Sequence, residues 1–275
     1  MKIHPTAVIS PDARIGKNVE IGPYSIIEHD VEIGRDSFID AHVKISAYTK
    51  IGPECKIYYG ALVGEEPQDH RFKKGTVSYT EIGTNTIIRE YVTIHRPPFE
   101  NRKTVIGNNV LLMAFVHAAH DVNIGDNVTI ANHTALTGHV QIGAGAVLSG
   151  YVKIHQFCRI GPLAMIGANA IITQDIPPYC LLADNNYVYG PNVIGLRRAG
   201  IGPERRALIR KAIKTYFFSS LNAKNALKII DENSAVPEIA AFSDFIKTST
   251  RGIMPGNPKY SSLHHRDDED IQFTH

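Results

Sequence analysis

Tryptophan is absent from this sequence and cysteine is scarce. The three cysteines, Cys55, Cys158 and Cys180, lie far apart with no CxxC spacing. That argues against a disulfide framework or a zinc knuckle and fits a reducing compartment, so a cytoplasmic location is expected. Long apolar runs are missing too. Nowhere do ~18 apolar residues follow one another, and the start, MKIHPTAVIS, has no apolar stretch and no small-residue cleavage site, so neither a membrane span nor a secretion signal is expected. Charge of one sign is also lacking. Lys and Arg number 29 against 27 Asp and Glu, a net charge of +2, which gives no ground for nucleic-acid binding.

What is present is enough apolar material for a substantial core, 43% of 275 residues. The basic residues are grouped, first Arg71, Lys73 and Lys74, then Arg197, Arg198, Arg205, Arg206, Arg210, Lys211 and Lys214. The second group reads either as a solvated helix face or as a docking patch for an acidic partner.

The apolar residues follow a period of six. Stepping by six from Ile3 gives Ile9, Ile15, Ile21, Ile27, Ile33, Ile39, Ile45, Ile51, Ile57 and Val63; the series resumes at Ile82, Ile88 and Ile94, and again from Ile106 to Ile172. Ala118 is its only member that is not Ile, Leu or Val. A helix needs spacing near 3.6 and a flat strand near 2, so a period of six fits neither. It fits short strands separated by corners: three six-residue sides make a triangular coil, and coils stack ~4.8 Å apart with the repeat residue inward. Branched side chains suit that pleat, and each buried one contributes roughly 1.5–3 kcal/mol. Glycine follows the inward residue at Gly16, Gly22, Gly34, Gly52, Gly83, Gly107, Gly125, Gly143, Gly161 and Gly167, where it is expected to relieve crowding near a corner. The fold class is therefore an all-β solenoid, and spacing does not give its hand.

Two interruptions, near 65–81 and 96–104, are expected to be loops leaving the coil, where function often sits. The repeat stops after Pro177 and Pro178. Pro203 and Glu204 then open a helical pattern with Ile209, Ala212, Ile213, Tyr216 and Phe217 on one face, and helices are also expected over about 222–232 and 236–248. The resulting division is a coil over 1–190, a helical domain over 191–252 and a flexible tail over 253–275.

In a coil of this period, residues eighteen apart stack. Asp121 then meets His139, Gly138 lies one coil from His120, and His117, His155 and Gln156 fall in the same three coils. Histidine is the side chain suited to general-base work near neutral pH. His120 and Asp121 are neighbours, so pairing them requires a corner, or else Asp121 serves the adjacent coil. A zinc site built from His117, His120 and His139 is the competing chemistry, since three imidazoles leave an open position. The γ-class carbonic anhydrases share the coiled architecture.

Beyond the period, a series of ordered motifs resembles one family. HPTAVI, Gln68-Asp69, IREYVTIHR, HAAHD, LTGHV, His155-Gln156-Phe157, QDIPPY and STRG, running from about Ile3 to Gly252, are similar to the UDP-N-acetylglucosamine O-acyltransferases of lipid A biosynthesis. The resemblance implies a left-handed parallel β-helix with a C-terminal α-helical domain. It implies transfer of a 3-hydroxyacyl group from acyl carrier protein to the glucosamine 3-position, in a homotrimer with sites between subunits, and no metal or cofactor. By the same resemblance His120 is the base, Asp121 orients it, and the Gly138 amide stabilises the oxyanion. Gln68, Asp69, Arg71, His117, His139, His155 and Gln156 line the sugar, phosphates or acyl hydroxyl, with Asn192 and Arg198 on the nucleotide side. Ala168 takes the place of the acyl-length ruler, where glycine admits long chains. Departures from the family are Arg71 for a lysine, Ile194 for a glutamate and Ala199 for an arginine. Acyl-CoA as donor, an amino-sugar nucleotide as acceptor, and a metal-dependent hydratase remain as alternatives.

Overall fold

The computed structural model describes residues 2–183 and 186–259. The ladder of six does form a coil: three sheets of eleven, nine and eight short strands each run the length of a triangular prism. It is a left-handed parallel β-helix. Strands pair in parallel with the predicted register, Ile3 against Ile21 and Ala118 against Leu136. The repeat residues fill the interior, and Ile39, Ile45, Ile57, Ile88, Ile94 and Leu112 are wholly buried. Ala118 is buried as well, between Ile94 and Leu136 of the neighbouring coils.

The glycines after the inward residues relieve backbone crowding, as expected, and the crowding comes from the next coil. None has a left-handed backbone; a Cβ at Gly34 would lie 2.4 Å from the Pro53 nitrogen, so coil-to-coil approach excludes a side chain. The left-handed corners fall two residues later, on Asn18, Asp36, Asn85, Asn109, Asn127, Asn169 and others. Asn and Asp tolerate that conformation best among residues with a side chain. One edge of the prism carries a ladder of rings at such corners, with Tyr91, Phe115, His133 and Tyr151 stacked at 4.8–5.2 Å.

Both interruptions leave the coil, and their excursions are shorter than expected. Strand Leu62–Glu65 precedes the first, over 66–78, and Tyr79–Ile82 follows it; the second, over 96–102, lies between Thr93–His95 and Lys103–Ile106. At the far end, Cys180–Ala183 and Tyr187–Pro191 form an antiparallel hairpin, after which come α1 (Val193–Arg198), α2 (Pro203–Phe217), α3 (Ala223–Asp231) and α4 (Pro237–Lys247). Helix α2 buries Ile209, Ala212 and Ile213, as its pattern predicts. Helix α1 was not expected; it is short, includes Gly195, and is capped by Asn192.

The helices are fastened to the coil by Asp175, which is fully buried. Its carboxylate accepts from the Arg159 amide at 2.8 Å, Arg159 Nε at 3.0 Å and Ser249 Oγ at 2.8 Å. Arg159 in turn donates to the Phe245 carbonyl at the end of α4 and lies over its ring.

The expected tail does not begin at 253. Ile253 bridges to Asp175, Gly256 bridges to Val188, and Met254 is 4% exposed. Composition reads this segment as loose because its packing depends on partners distant in sequence. The remainder, 260–275, lies outside the described residues. Among the described residues no helix is long and apolar enough to cross a membrane.

Candidate active site

Strand His117–Ala118 turns Ala118 inward and leaves His117 on the outer face. The chain then rounds a corner at Asp121, whose φ of 60° is left-handed. This corner resolves the neighbour problem: the turn brings the Asp121 carboxylate back onto its own neighbour, with His120 Nδ1 2.8 Å from Asp121 Oδ2. Both side chains are under one-tenth exposed. A carboxylate on Nδ1 selects the tautomer with its proton there and leaves Nε2 as the basic atom, the arrangement a general base needs.

The next coil supplies the rest of the pocket. The His120 ring lies against Gly138, and the His139 amide donates to the His120 carbonyl at 3.1 Å. His139 is at another left-handed corner, with Nε2 3.8 Å from Asp121 Oδ2 and its ring edge-on to His120. Phe157, one coil further, stacks flat on His139 at 4.6 Å. Burial holds His139 below the usual imidazole range; His120, Arg102 and Arg71 add to this and Asp121 opposes it.

The excursions leave at this same corner in the two preceding coils, which brings their residues to His120. Asp69 Oδ2 is 3.7 Å from His120 Nε2. Asp69 is gripped by Arg71, through Nη2 at 2.7 Å, Nε at 3.1 Å and the Arg71 amide at 2.9 Å, and this fork keeps its carboxyl well below the ordinary range. The planar fork is what the expected lysine would lack. From the second excursion Arg102 Nε reaches Asp121 Oδ1 at 3.0 Å. The Asp121 amide donates to Thr104 Oγ1, and Thr104 donates to the His95 carbonyl.

His117 sits below this cluster. Its Nδ1 is 2.7 Å from Thr93 Oγ1, and its ring packs on His95. Burial, helped by the His95 charge, pushes its pKa down to about 4, so it is a neutral polar group at physiological pH. The proposed zinc triad of His117, His120 and His139 is not assembled. The group whose ligating atoms do converge is His120, Asp121 and His139, within 4.8 Å of one another. There His120 Nδ1 is bonded to Asp121, and the Arg102 cation against Asp121 opposes a dication.

The remaining candidates spread outward. Gln68, His155 and Gln156 are exposed on the same side, with His155 Nδ1 3.2 Å from Arg251 Nη2. Ala168 is exposed at the corner on the opposite edge of the His117 sheet. Asn192 and Arg198 are not brought to His120 within the chain. The Asn192 side chain caps α1 by accepting from the Gly195 amide and donates to the Leu163 carbonyl, while Arg198 is exposed in the last turn of α1.

Sequence reasoning missed His95, Arg96, Arg102, Thr104 and Arg251. The first four flank or belong to an excursion, which breaks the eighteen-residue rule that found the others. The STRG segment is the only signal for Arg251.

Comparisons with known proteins show what the chain as a whole is similar to. A family model described as UDP-N-acetylglucosamine O-acyltransferase, domain 2, matches residues 175–254, and a bacterial transferase hexapeptide model matches 103–138. The acyl-[acyl-carrier-protein]–UDP-N-acetylglucosamine O-acyltransferase of Stutzerimonas stutzeri is 43% identical over 91% of this chain and 98% of its own length. The UDP-N-acetylglucosamine acyltransferase structure from Bacteroides fragilis superposes with a TM-score of 0.87 at 40% identity, covering 91% of this chain and 99% of that one. That from Francisella novicida gives 0.89 at 35% identity, covering 99% of each.

Proposed function

The chain belongs to the UDP-N-acetylglucosamine O-acyltransferase family, and from that premise we propose how its residues carry the reaction. It transfers a 3-hydroxyacyl group from acyl carrier protein to the glucosamine 3-hydroxyl of UDP-N-acetylglucosamine, the first step of lipid A biosynthesis. The observation that carries the catalytic assignment is the 2.8 Å contact between His120 Nδ1 and Asp121, which leaves Nε2 open toward Asp69.

His120 Nε2 takes the proton of the acceptor hydroxyl as that oxygen attacks the thioester carbonyl, and Asp121 balances the imidazolium that forms. The tetrahedral oxyanion is stabilised by the Gly138 amide, which has no hydrogen-bond acceptor among the described residues. Collapse expels the carrier thiolate, which recovers the proton from His120. Asp69, held by Arg71, takes a sugar hydroxyl, with Gln68, His117, His139, His155 and Gln156 lining the sugar, phosphates and acyl hydroxyl.

A homotrimer accounts for two further features. An exposed apolar strip joins the aromatic corner of Tyr24, Tyr59, Tyr91, Phe115 and Tyr151 to the outer face of the adjoining sheet at Val8, Ile26 and Ile171, a pattern that marks an interface. A neighbouring subunit then brings Asn192 and Arg198, remote from His120 in their own chain, to the nucleotide. The carrier protein, which is acidic, docks on Arg197 and Lys211; Arg205 and Arg206 are already paired with Glu238 and the Ile201 carbonyl. The donor and the reduced, buried cysteines support a cytoplasmic location.

The test mixes the protein with UDP-N-acetylglucosamine and 3-hydroxyacyl carrier proteins of several chain lengths and follows acylated nucleotide by mass spectrometry. The expected product is the 3-O-acyl ester. No product at any length sinks the reading, and faster turnover of a 3-amino acceptor redirects it to amide formation.

A further inference from the structure

The two excursions have no ladder of inward residues to hold them, yet one of them delivers Asp69 to within 3.7 Å of the base. A single buried cation spans the gap. Arg96, 6% exposed, donates from Nη1 to the Thr76 carbonyl at 2.6 Å, and its Nη2 is 3.6 Å from Glu66 Oε1. Its guanidinium lies 5.1 Å from the Phe72 ring centre, with Tyr48 at 5.6 Å. It therefore touches the first excursion at its start, middle and end. Phe72 matters most, because its amide donates to the Asp69 carbonyl at 3.0 Å and closes the turn that presents Asp69.

The contact is returned in the opposite direction. Arg71, whose fork grips Asp69, lies 5.3 Å from the ring centre of Phe99 in the second excursion. Each excursion thus places an arginine on a phenylalanine of the other. Two further bonds reinforce the pair: His95 Nδ1 donates to the Glu66 carbonyl at 2.7 Å, and Glu100 accepts from the Val77 amide.

We infer that Arg96 is a positioning residue for the Asp69–His120 contact, clasping the two excursions into one ledge over the base. It touches no reacting atom. It acts by fixing the Phe72 turn, and through that turn the distance from Asp69 to His120. The assignment rests on the acyl-transfer reading of this site. It also gives a reason for arginine at position 71, since a lysine offers no planar group to lay on Phe99.

Arg96→Lys is the informative change, because it keeps the charge and the reach but loses the fork and the flat stack. The expected result is a fall in kcat/KM for UDP-N-acetylglucosamine of roughly 10- to 100-fold, the scale of a misplaced positioning group, with the melting temperature nearly unchanged. The same substitution in an Asp69→Asn background should lose no more than about twofold further, because its effect passes through Asp69. A merely structural role predicts the full loss in both backgrounds. If Asp69→Asn alone stops turnover, the cycle is read on UDP-N-acetylglucosamine affinity by calorimetry. Undiminished kcat/KM in Arg96→Lys, or equal losses in the two backgrounds, overturns the assignment. Absence of product from the unaltered protein overturns the acyl-transfer reading itself, and the inference with it.

Discussion

The imidazole of His120 occupies the space where a side chain on residue 138 would begin: a Cβ built on Gly138 would lie 2.6 Å from His120 Cε1 and 2.7 Å from Nε2. The Gly138 backbone is not left-handed, so alanine there meets no conformational penalty, and its whole effect falls on the base. Gly138→Ala is expected to lower kcat by roughly 100-fold or more and stability by about 1–3 kcal/mol. Adding His120→Ala should restore the melting temperature without restoring activity. Recovery of neither, or an active Gly138→Ala enzyme, would refute the packing argument.

Much of this relationship is legible in the sequence. A period of six defines the coil, and its triple places Gly138 on His120 and His139 on Asp121. The same arithmetic fails where the chain departs from it. Across the excursions Ile51 pairs with Ile82 and Ile82 with Ile106, so no fixed spacing points from Arg102 to Asp121 or from Arg96 to Phe72. Asn192 lies outside the rule for another reason: it follows the last coil, and the helix-capping role that the carbonyl and amide around it reveal is not marked by any spacing. The tail was misread because Met254 is buried by partners the local composition does not contain.

The short bond from Asp121 to His120 Nδ1 fixes the tautomer, and Asp121→Asn should disturb that without emptying the pocket. The expected loss is roughly 100- to 10,000-fold in kcat, with KM for UDP-N-acetylglucosamine nearly constant. His120→Ala should abolish turnover and leave the circular dichroism spectrum unchanged. Steady-state kinetics on both variants checks the assignment, and most of the activity surviving in His120→Ala would remove the histidine from its role.

Asp175 is fully buried and accepts three hydrogen bonds that tie the last coils to α4 and the segment behind it. Asp175→Ala leaves Arg159 without its carboxylate and is expected to cost about 3–5 kcal/mol. Denaturant melts should show the loss, while the protein that remains folded at low temperature keeps its turnover. A variant as stable as the unaltered chain would mean that the helices are held by apolar packing alone.

His117 supplies a pH dependence whose sign follows from its burial. The unfolded chain binds a proton at this residue below pH 6.5, and the folded chain does not until about 4. Folding stability therefore falls as pH drops through that window, and this residue contributes no slope above it. His117→Gln can keep a hydrogen bond to Thr93 and removes the titration. The difference in stability between pH 7 and about pH 4.5 should shrink by about 1–2 kcal/mol, allowing for partial solvent screening. Urea melts at the two pH values measure it, and an unchanged difference would show that His117 protonates freely in the folded state.

Ala168 and His120 stand on opposite edges of the same sheet, His120 at the corner that follows His117–Ala118 and Ala168 at the corner that precedes Ile171–Ile172. An acyl chain whose thioester sits at His120 and which runs along this face, across the coils, meets residue 168 near its far end. A single methyl there removes room for about one methylene, and one methylene is worth roughly 1–3 kcal/mol of discrimination in an apolar pocket. Ala168→Gly should therefore shift the preferred donor to a longer chain by roughly 10-fold or more in competing kcat/KM, with no change for short donors. Competition among 3-hydroxyacyl carrier proteins, read by mass spectrometry of the acylated nucleotide, gives the ratio directly. A parent enzyme that already prefers the longest donor, or a glycine variant with the same profile, would show that the chain ends elsewhere.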